Sequence, residues 1–384
     1  MSRRLAPTSP APALARLAAA CALATLAPLA SAAVLVTNMG QGMVTDVSAD
    51  GNAAVGMNPG NYGTWRWTAG GGQVQLGRSP YPKLHSGGGV PAISADGSVV
   101  AATILDDTGT HATEGRWTVS GGWQQLTPPL PADGGVMDSN DSDVFGMSRD
   151  GNVVTGLYWR PGYSGGSAHG SWWSAATHMV GLPTLGGSSR VDDANGDGSV
   201  LVGWEESPNT GARLAVVWVH GVRTFLDGGA DDAMGEASKV NTAGTVIVGQ
   251  SWDAASGRNV AARWTWNGSG WTRTLLGVLA GGRASAMSYA LGVSDDGNVI
   301  VGMDRDKSMV FTSRGFVWTP DAGMVDFQSW VRSQGFPLSD WLKVSQVSAV
   351  TPDGRVLFAV GSEQKAPYGT RSVRVERVDA AAKR

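Results

Sequence analysis

Residues 293–302 read VSDDGNVIVG, and this ten-residue stretch decides the fold because it recurs along the chain. In each copy an Asp-Gly-like turn follows a short apolar segment and precedes a run rich in β-branched residues. Glycine supplies the positive φ that a tight hairpin requires, and β-branched residues favour strands. The other copies are VSADGNAAVG from Val47, ISADGSVVAA from Ile93, MSRDGNVVTG from Met147, ANGDGSVLVG from Ala194, VNTAGTVIVG from Val240 and VTPDGRVLFAVG from Val350.

The seven copies recur at intervals of 46 to 57 residues, measured between their turn glycines. A repeated unit with variable insertions is typical of repeat architectures, with the insertions in loops. Each unit has one strand before the turn, one after it, a tryptophan strand and a short fourth strand. We therefore predict an all-β, seven-bladed β-propeller with four antiparallel strands per blade. The tryptophans are Trp67, Trp117, Trp172 or Trp173, Trp218, Trp264 and Trp318.

The two ends of the mature chain complement each other. The seventh unit has no fourth strand of its own, whereas residues 33–40, AVLVTNMG, resemble an isolated fourth strand. We predict that this N-terminal strand closes the ring, which would leave only short, protected edges. A stacked β-solenoid is the rival fold, but it favours a shorter period. The predicted single domain, 33–384, has blades near 41–77, 90–126, 143–182, 190–226, 236–278, 288–327, and 344–378 plus 33–40.

Residues 1–32 have the features of an export signal. Arg3 and Arg4 precede a short apolar run, and Ala30-Ser31-Ala32 is a small-residue cleavage site. The Arg pair leaves twin-arginine export as an alternative, and Cys21 leaves lipoprotein processing as another. The expected location is secreted, periplasmic or at the cell surface.

The composition of residues 33–384 limits the classes of partner. They contain no cysteine, which excludes disulfides and thiolate sites, and their 26 basic and 32 acidic residues give a net charge of −6. A mildly acidic, mixed charge argues against nucleic acid as a partner. No second apolar stretch approaches membrane length, so no membrane insertion is expected. We expect a monomer.

The repeats resemble the HAF repeat family of predicted extracellular repeat proteins. VSADGNAAVG with the following Trp65-Arg66-Trp67-Thr68 is among the best copies, and GRWT at 115–118 and ARWT at 262–265 repeat the tryptophan strand. The fifth copy departs with Thr242-Ala243-Gly244, and the seventh lacks its tryptophan. The resemblance implies an exported, propeller-like protein and no defined reaction.

Two recurring features of the repeat have structural interpretations. One tryptophan per blade indicates packing between blades, and Arg66, Arg116 and Arg263 are expected to stack on a neighbouring blade or pair with its Asp. Asp46-x-Ser48-x-Asp50-Gly51 and Asp193-x-Asn195-x-Asp197-Gly198 have the opening spacing of a calcium loop. Both lack the later acid of such a loop, so we interpret them as capped hairpin turns, expect no cofactor and keep calcium as the alternative.

Enzymatic motifs are weak. The five histidines show no metal-ligand spacing, and there is no nucleophile elbow. Adjacent acids could support an alternative function as a glycoside hydrolase or lyase. These pairs are Asp106-Asp107, Glu205-Glu206 and Asp231-Asp232. A purely structural surface protein is a further alternative.

The loops after the second strands combine aromatic and charged residues. In a propeller these loops line one mouth of the channel, where ligands usually bind. The leading hypothesis is therefore a binding or interaction propeller that recognises a polysaccharide or a protein there. The candidate ligand-binding residues are Trp159, Arg160, Trp204, Glu205, Trp252, Asp253, Asp304 and Arg305. The insertion at 327–341 is expected to contain a short helix.

Overall fold

The computed structural model describes residues 33–80, 89–126, 142–160, 167–229, 234–306, 309–366 and 368–378. The predicted export signal, residues 1–32, lies outside the described residues. Within them the strands form seven four-stranded antiparallel sheets. The predicted seven-bladed propeller is confirmed. In six blades the four strands are consecutive in sequence, and the seventh blade takes its outer strand from the N-terminus.

The N-terminal strand is β1 (Ala33–Gln41), and blades 1 to 4 follow it. Blade 1 contains β2 (Met43–Val47), β3 (Ala53–Met57), β4 (Thr64–Thr68) and β5 (Gly72–Gln75). Blade 2 contains β6 (Ala92–Ile93), β7 (Val99–Leu105), β8 (Ala112–Thr118) and β9 (Gly122–Leu126). Blade 3 contains β10 (Ser142–Met147), β11 (Val153–Arg160), β12 (Ser167–Ser174) and β13 (His178–Gly181). Blade 4 contains β14 (Ser189–Ala194), β15 (Val200–Glu206), β16 (Arg213–Val219) and β17 (Val222–Phe225).

Blades 5 to 7 complete the ring. Blade 5 contains β18 (Gly235–Val240), β19 (Val246–Asp253), β20 (Arg258–Trp266) and β21 (Trp271–Gly277). Blade 6 contains β22 (Ala286–Val293), β23 (Ile300–Asp306), β24 (Met309–Thr319) and β25 (Gly323–Asp326). The expected short helix, α1 (Phe327–Ser333), and a 3₁₀ turn (Leu338–Asp340) connect blade 6 to blade 7. Blade 7 contains β26 (Leu342–Val350), β27 (Val356–Glu363) and β28 (Thr370–Val378).

The N-terminal strand closes the ring as predicted. Strand β1 pairs antiparallel with β28, in register from Ala33 opposite Val378 to Gln41 opposite Arg371. The sheet order is β1-β28-β27-β26, so β1 is the outer strand of blade 7. Its Met39 is buried in a cluster that also contains Trp65 of blade 1. Closure therefore joins the first and last blades by both pairing and packing.

The Asp-Gly turns carry the predicted side-chain caps. In blade 1 the Ser48 hydroxyl donates to Asp50 Oδ1 at 2.7 Å, and the Asn52 N–H donates to the same oxygen at 2.9 Å. The Asn52 N–H and the Ser48 hydroxyl lower the pKa of Asp50. Gly51 has φ +67°, in the left-handed region that favours glycine. The repeated motif is thus a self-contained hairpin, in which the carboxylate accepts hydrogen bonds from its own turn.

The repeat arginines bind the next blade through a backbone acceptor. Arg66 donates to Gly97 O at 3.0 and 2.8 Å, and Arg263 donates to Gly297 O at 3.1 Å. Of the two expected contacts, pairing with a neighbouring Asp is replaced by the bond to the glycine carbonyl, because that Asp already accepts bonds within its own turn. The expectation of stacking is met by Arg263, which lies 5.1 Å from the ring centroid of Trp318.

The same contact closes the ring. In blade 7 Arg374, only 7% exposed, donates to Gly51 O of blade 1 at 2.9 Å. The sequence pattern did not reveal this arginine, because Val375 stands where the other blades have tryptophan. Most of the tryptophans pack between blades as predicted: Trp67 is buried against Phe358 of blade 7, whereas Trp117 is only half-buried.

Candidate functional site

The two ends of the propeller differ in how much their connections vary. The turns between the first two strands of each blade have five or six residues. We call the end that carries these turns the turn face. At the opposite end, which we call the variable face, the connections between blades range from one residue (Gly42) to sixteen (76–91). The variable face therefore carries the differences between blades, which is where specific recognition is usually built.

The turn face is tied together by hydrogen bonds between successive turns. Ala49 N–H donates to Ala95 O at 2.7 Å, and Ala95 N–H donates to Arg149 O at 2.7 Å. In blade 7 Pro352 O accepts from Asp295 N–H at 2.8 Å. Proline has no N–H, so Pro352 cannot donate the corresponding bond to blade 1. The backbone groups of the turns are therefore engaged in holding neighbouring blades together.

Charged residues fill the central channel near the turn face. First strands from six blades line one small cavity there, of about 50 Å³. Lys239 Nζ lies 3.3 Å from Asp193 Oδ1, and Arg149 Nη1 lies 3.8 Å from Asp46 Oδ1. We call these four residues the channel cluster. Asp46 Oδ2 also accepts from Ile93 N–H of the next blade at 2.9 Å. Asp46 and Asp193, the first acids of the two calcium-like motifs, thus face cations in the channel.

Two of the predicted ligand-binding residues occupy equivalent positions on the variable face. Trp159 and Trp252 are the last residues but one in the second strands of blades 3 and 5, and both are half-buried. Trp159 Nε1 donates to Asp143 Oδ2 at 3.4 Å. Each indole therefore keeps part of its surface accessible at this face. Arg160 follows Trp159 in the strand, and its side chain lies outside the described part of the chain.

Asp253 and Arg305 also lie on the variable face, with local partners. Asp253 accepts from Ala255 N–H at 3.1 Å and from the Ser256 hydroxyl at 2.6 Å, and this hydroxyl bond is the main cause of its lowered pKa. Arg305 Nη2 donates to the Tyr289 hydroxyl at 2.9 Å. Both residues shape the edge of the face.

Trp204 lies in the interior. It is 4% exposed, and its ring lies 4.0 Å from the guanidinium of Arg213 and 5.3 Å from that of Arg190. The expectation that this indole is accessible from the channel mouth is not met. A tryptophan held between two guanidinium groups stabilises the contact between strands.

Glu205 and Asp304 are buried and share one structural task. Glu205 is 0% exposed, receives Arg223 Nη1 at 2.9 Å and accepts from Leu185 N–H. Asp304 is 3% exposed and accepts from Leu279 N–H at 2.9 Å. Leu185 and Leu279 belong to the connections that enter these blades. Both acids therefore hold an incoming connection in place. Replacing either one is expected to destabilise the fold, so a loss of turnover in such a variant would not identify a catalytic acid.

Asp106, another acid named for the enzymatic alternative, also has a structural role. Asp106 accepts from Thr110 N–H at 2.9 Å and from the Thr108 hydroxyl at 2.6 Å, which caps its own loop. Asp231-Asp232 lies outside the described residues. In the described ranges, no group of three or more His, Cys, Asp or Glu side chains is placed to hold a metal ion.

A cleft opens on the variable face where blade 7 meets blade 1. Its volume is about 570 Å³. We call it the seam cleft, and the described residues that line it are all uncharged. Four carry side-chain amides, and one is an exposed tyrosine. The side chains that define it are Gln41, Asn58, Pro59, Gln73, Gln75 and Tyr368. The sequence pattern did not single out any of them, because they come from distant segments.

Two buried acids face each other between blades 2 and 3. Glu114 is 0% exposed, and Asp143 is 3% exposed. The Ser171 hydroxyl lies 3.4 Å from Glu114 Oε1, and Oε2 has no hydrogen-bond partner among the described residues. Burial and the neighbouring Asp143 carboxylate raise the pKa of Glu114 well above its ordinary value of 4.5. Burial likewise raises the pKa of Asp143 to about 6.

We expect Glu114→Gln to stabilise the protein near neutral pH, by about 2 kcal/mol, because a neutral amide removes the free-energy cost of either burying a carboxylate or keeping the carboxyl group protonated at that pH. A raised folded-state pKa means that the native protein binds the proton more tightly than the unfolded chain does. Wild-type stability should therefore fall as the pH rises above 4.5. The advantage of the variant should shrink as the pH is lowered to 4.

Urea titrations at pH 7.5 and pH 4 measure this difference. Asp107→Asn serves as the control, because the Asp107 side chain is 80% exposed and should give no pH-dependent gain. An equal effect of Glu114→Gln at both pH values would contradict the raised pKa.

No described helix is long and apolar enough to cross a membrane. No protein-family model matches the sequence, and no curated protein matches it.

Several solved propellers are similar to this chain. An oligogalacturonate lyase from Vibrio parahaemolyticus has a TM-score of 0.53 at 12% identity, over 89% of this chain and 93% of that one. The propeller domain of Cps50 (Swd1) from Myceliophteria thermophila has a TM-score of 0.51 at 9% identity, over 90% and 99%. A prolyl endopeptidase has a TM-score of 0.53 at 13% identity, over 89% of this chain and 47% of that one. At these identities the chain shares the β-propeller fold with proteins of unrelated activities.

Proposed function

We propose that this protein is an exported binding propeller of the HAF-repeat type, and that it recognises its ligand on the variable face. The observation that carries the proposal is the contrast between the two faces. Short turns bonded to one another form one face, whereas connections of one to sixteen residues form the other. A surface that differs from blade to blade can select a partner, and a surface of repeated turns mainly holds the ring.

The proposed location is the periplasm or the cell exterior. The motif of residues 1–32 supports export, and the cysteine-free residues 33–384 need no particular redox state to fold. The resemblance to HAF repeats supports the same location.

A polysaccharide is the first ligand class to test. Trp159 and Trp252 present partly accessible indoles at equivalent positions of blades 3 and 5. An indole offers a flat apolar surface and an N–H donor, which suits the mixed polar and apolar surface of a sugar ring. A protein partner on the same face is the alternative outcome.

A glycan array probed with the purified protein tests the proposal. We expect a reproducible hit that Trp252→Ala or Trp159→Ala weakens about ten-fold, since loss of one well-placed aromatic contact is worth about 1 kcal/mol or more. Trp266→Ala is the matched control. Trp266 is 41% exposed, and its N–H donates to Thr245 O at 2.9 Å. Thr245 belongs to the turn between the first two strands of blade 5, so Trp266 lies on the turn face.

If Trp266→Ala abolishes glycan binding and the variable-face variants leave it unchanged, recognition lies on the turn face and the proposal is overturned. A blank array followed by capture of a protein partner that Trp252→Ala weakens would keep the face and change the ligand class. If neither glycan nor protein binds a folded sample, a purely structural role is favoured.

A further inference from the structure

We propose that the seam cleft is a binding site for a neutral saccharide. The inference rests on the proposed function, because the cleft lies on the variable face, and it names both the ligand class and the subsite. The cleft lies apart from Trp159 and Trp252, so the two sites can be tested separately.

The seam cleft exists because of how the ring closes. At the other six junctions between blades, a connection of at least seven residues joins the outer strand of one blade to the inner strand of the next. At the seam, Gly42 alone joins β1 to β2. Gly42 has φ +112°, and a Cβ there would lie 2.4 Å from Trp65 Nε1. Gly42 therefore forms the floor of the cleft, and no longer connection fills the space above it.

Loops from the two joined blades form the walls. Asn58 and Pro59 follow the second strand of blade 1, and Tyr368 precedes the third strand of blade 7. Gln73 Nε2 donates to Gln41 O at 2.9 Å, which ties the outer strand of blade 1 to the floor. The volume of about 570 Å³ lies within the range of about 300–1,000 Å³ typical of small-ligand sites.

The amides of the walls keep hydrogen-bonding capacity for a ligand. Asn58 Nδ2 donates to Gln75 Oε1 at 3.0 Å, which orients the two side chains. Within the described part of the chain, this bond leaves Asn58 Oδ1 as an acceptor and Gln75 Nε2 as a donor. Each hydroxyl of a sugar both donates and accepts, so paired amide groups match neighbouring hydroxyls without any charge.

Tyr368 supplies the aromatic surface. Its side chain is 76% exposed, which is unusual for a large aromatic residue in a folded protein. The C–H face of a pyranose ring can pack on the tyrosine ring, while the phenolic hydroxyl remains available for a hydrogen bond. The site thus combines a flat apolar platform with several neutral polar groups.

The lining favours a neutral sugar over other ligands. Among the described residues, its lining contains no cation to pair with a uronate or a phosphate, and no carboxylate to pair with a basic peptide. The charged pair beside it, Glu363 and Arg371, is already joined at 2.7 Å. An apolar ligand would cover the amides without giving them hydrogen-bond partners, which disfavours its binding.

Affinity electrophoresis of the full protein in gels that contain soluble polysaccharides tests the inference. The neutral probes are dextran, xyloglucan and galactomannan, and the anionic probes are alginate and polygalacturonate. We expect retardation by at least one neutral polymer and none by the anionic polymers. Tyr368→Ala should weaken the binding about ten-fold, whereas Tyr368→Phe, which keeps the ring, should stay within about three-fold.

Further variants separate the seam cleft from the rest of the molecule. Gln75→Ala should weaken the same binding several-fold, and Trp266→Ala on the turn face should leave it unchanged. Tyr368 and Gln75 are exposed, so equal melting temperatures should show that these variants fold.

The outcomes distinguish this inference from the proposed function. Neutral-polymer binding that Tyr368→Ala and Gln75→Ala leave intact, but Trp252→Ala removes, overturns the seam site and keeps the proposed function. Retardation by anionic polymers alone overturns the seam site as well. Loss of neutral-polymer binding in Tyr368→Ala alone, with Trp252→Ala unchanged, supports the seam site.

Discussion

Deletion of residues 33–41 is expected to lower the melting temperature by about 7 °C or more. This segment is β1, which pairs with β28 from Ala33 to Gln41 and buries Met39. Several lost backbone hydrogen bonds at about 1 kcal/mol each give a loss of about 5 kcal/mol. For about 350 residues, the entropy of unfolding near 60 °C is about 0.7 kcal/mol per degree, which gives the expected shift. Differential scanning calorimetry measures it.

A variant within the same strand provides the control. Leu35 is 53% exposed, so Leu35→Ala should move the melting temperature by less than about 1 °C. A synthetic peptide of residues 33–41, added in excess to the deleted protein, should restore part of the loss by binding the free edge of β28. An unchanged melting temperature after the deletion would contradict the role of β1 in closing the ring.

The propeller could be predicted from the sequence because its determinants are local. The cap of Asp50 by Ser48 and Asn52 lies within five residues, and the motif repeats at a nearly constant interval. Ring closure could also be predicted, since residues 33–40 had the pattern of a strand without the rest of a blade. These features need no knowledge of distant contacts.

The candidate site was harder to predict, because it depends on how far along a strand each side chain lies. Trp159 and Trp252 occupy the same position relative to the strand pairing, whereas Trp204 lies two residues earlier. Residues two apart in a strand point to the same face, so Trp204 differs in depth: it lies further inside the blade, where Arg190 and Arg213 pack on its ring. Glu205 is directed toward an incoming connection whose path the sequence does not specify.

Contacts across the ring could not be predicted from the repeat at all. Arg374 and Gly51 are 323 residues apart, and the seam cleft joins Asn58 to Tyr368 across the same closure. Glu114 lies in the strand ATEGRWT, whose pattern gives no sign that its carboxyl group is buried against blade 3. Such contacts follow from the docking of blades.

Lys239→Met is expected to lower the free energy of unfolding by about 3 kcal/mol at pH 8, because it leaves the Asp193 carboxylate without its partner. The Lys239 and Asp193 side chains are 18% and 9% exposed. Burial disfavours the charged form of Lys239, but Asp193 and Asp46 outweigh it and raise its pKa. Methionine keeps the length of the side chain, so the loss would reflect charge rather than volume. Urea denaturation measures it.

The pH dependence and a double variant identify the cause. Burial already raises the pKa of Asp193, and loss of Lys239 should raise it further. The deficit of Lys239→Met should therefore be largest at high pH and shrink as acid protonates Asp193. Adding Asp193→Asn, which keeps an acceptor for Val240 N–H, should recover most of the loss. Lys343→Met, at an exposed position on β26, should cost less than about 0.5 kcal/mol. If Lys239→Met costs no more than this control at every pH, the channel cluster does not stabilise the ring.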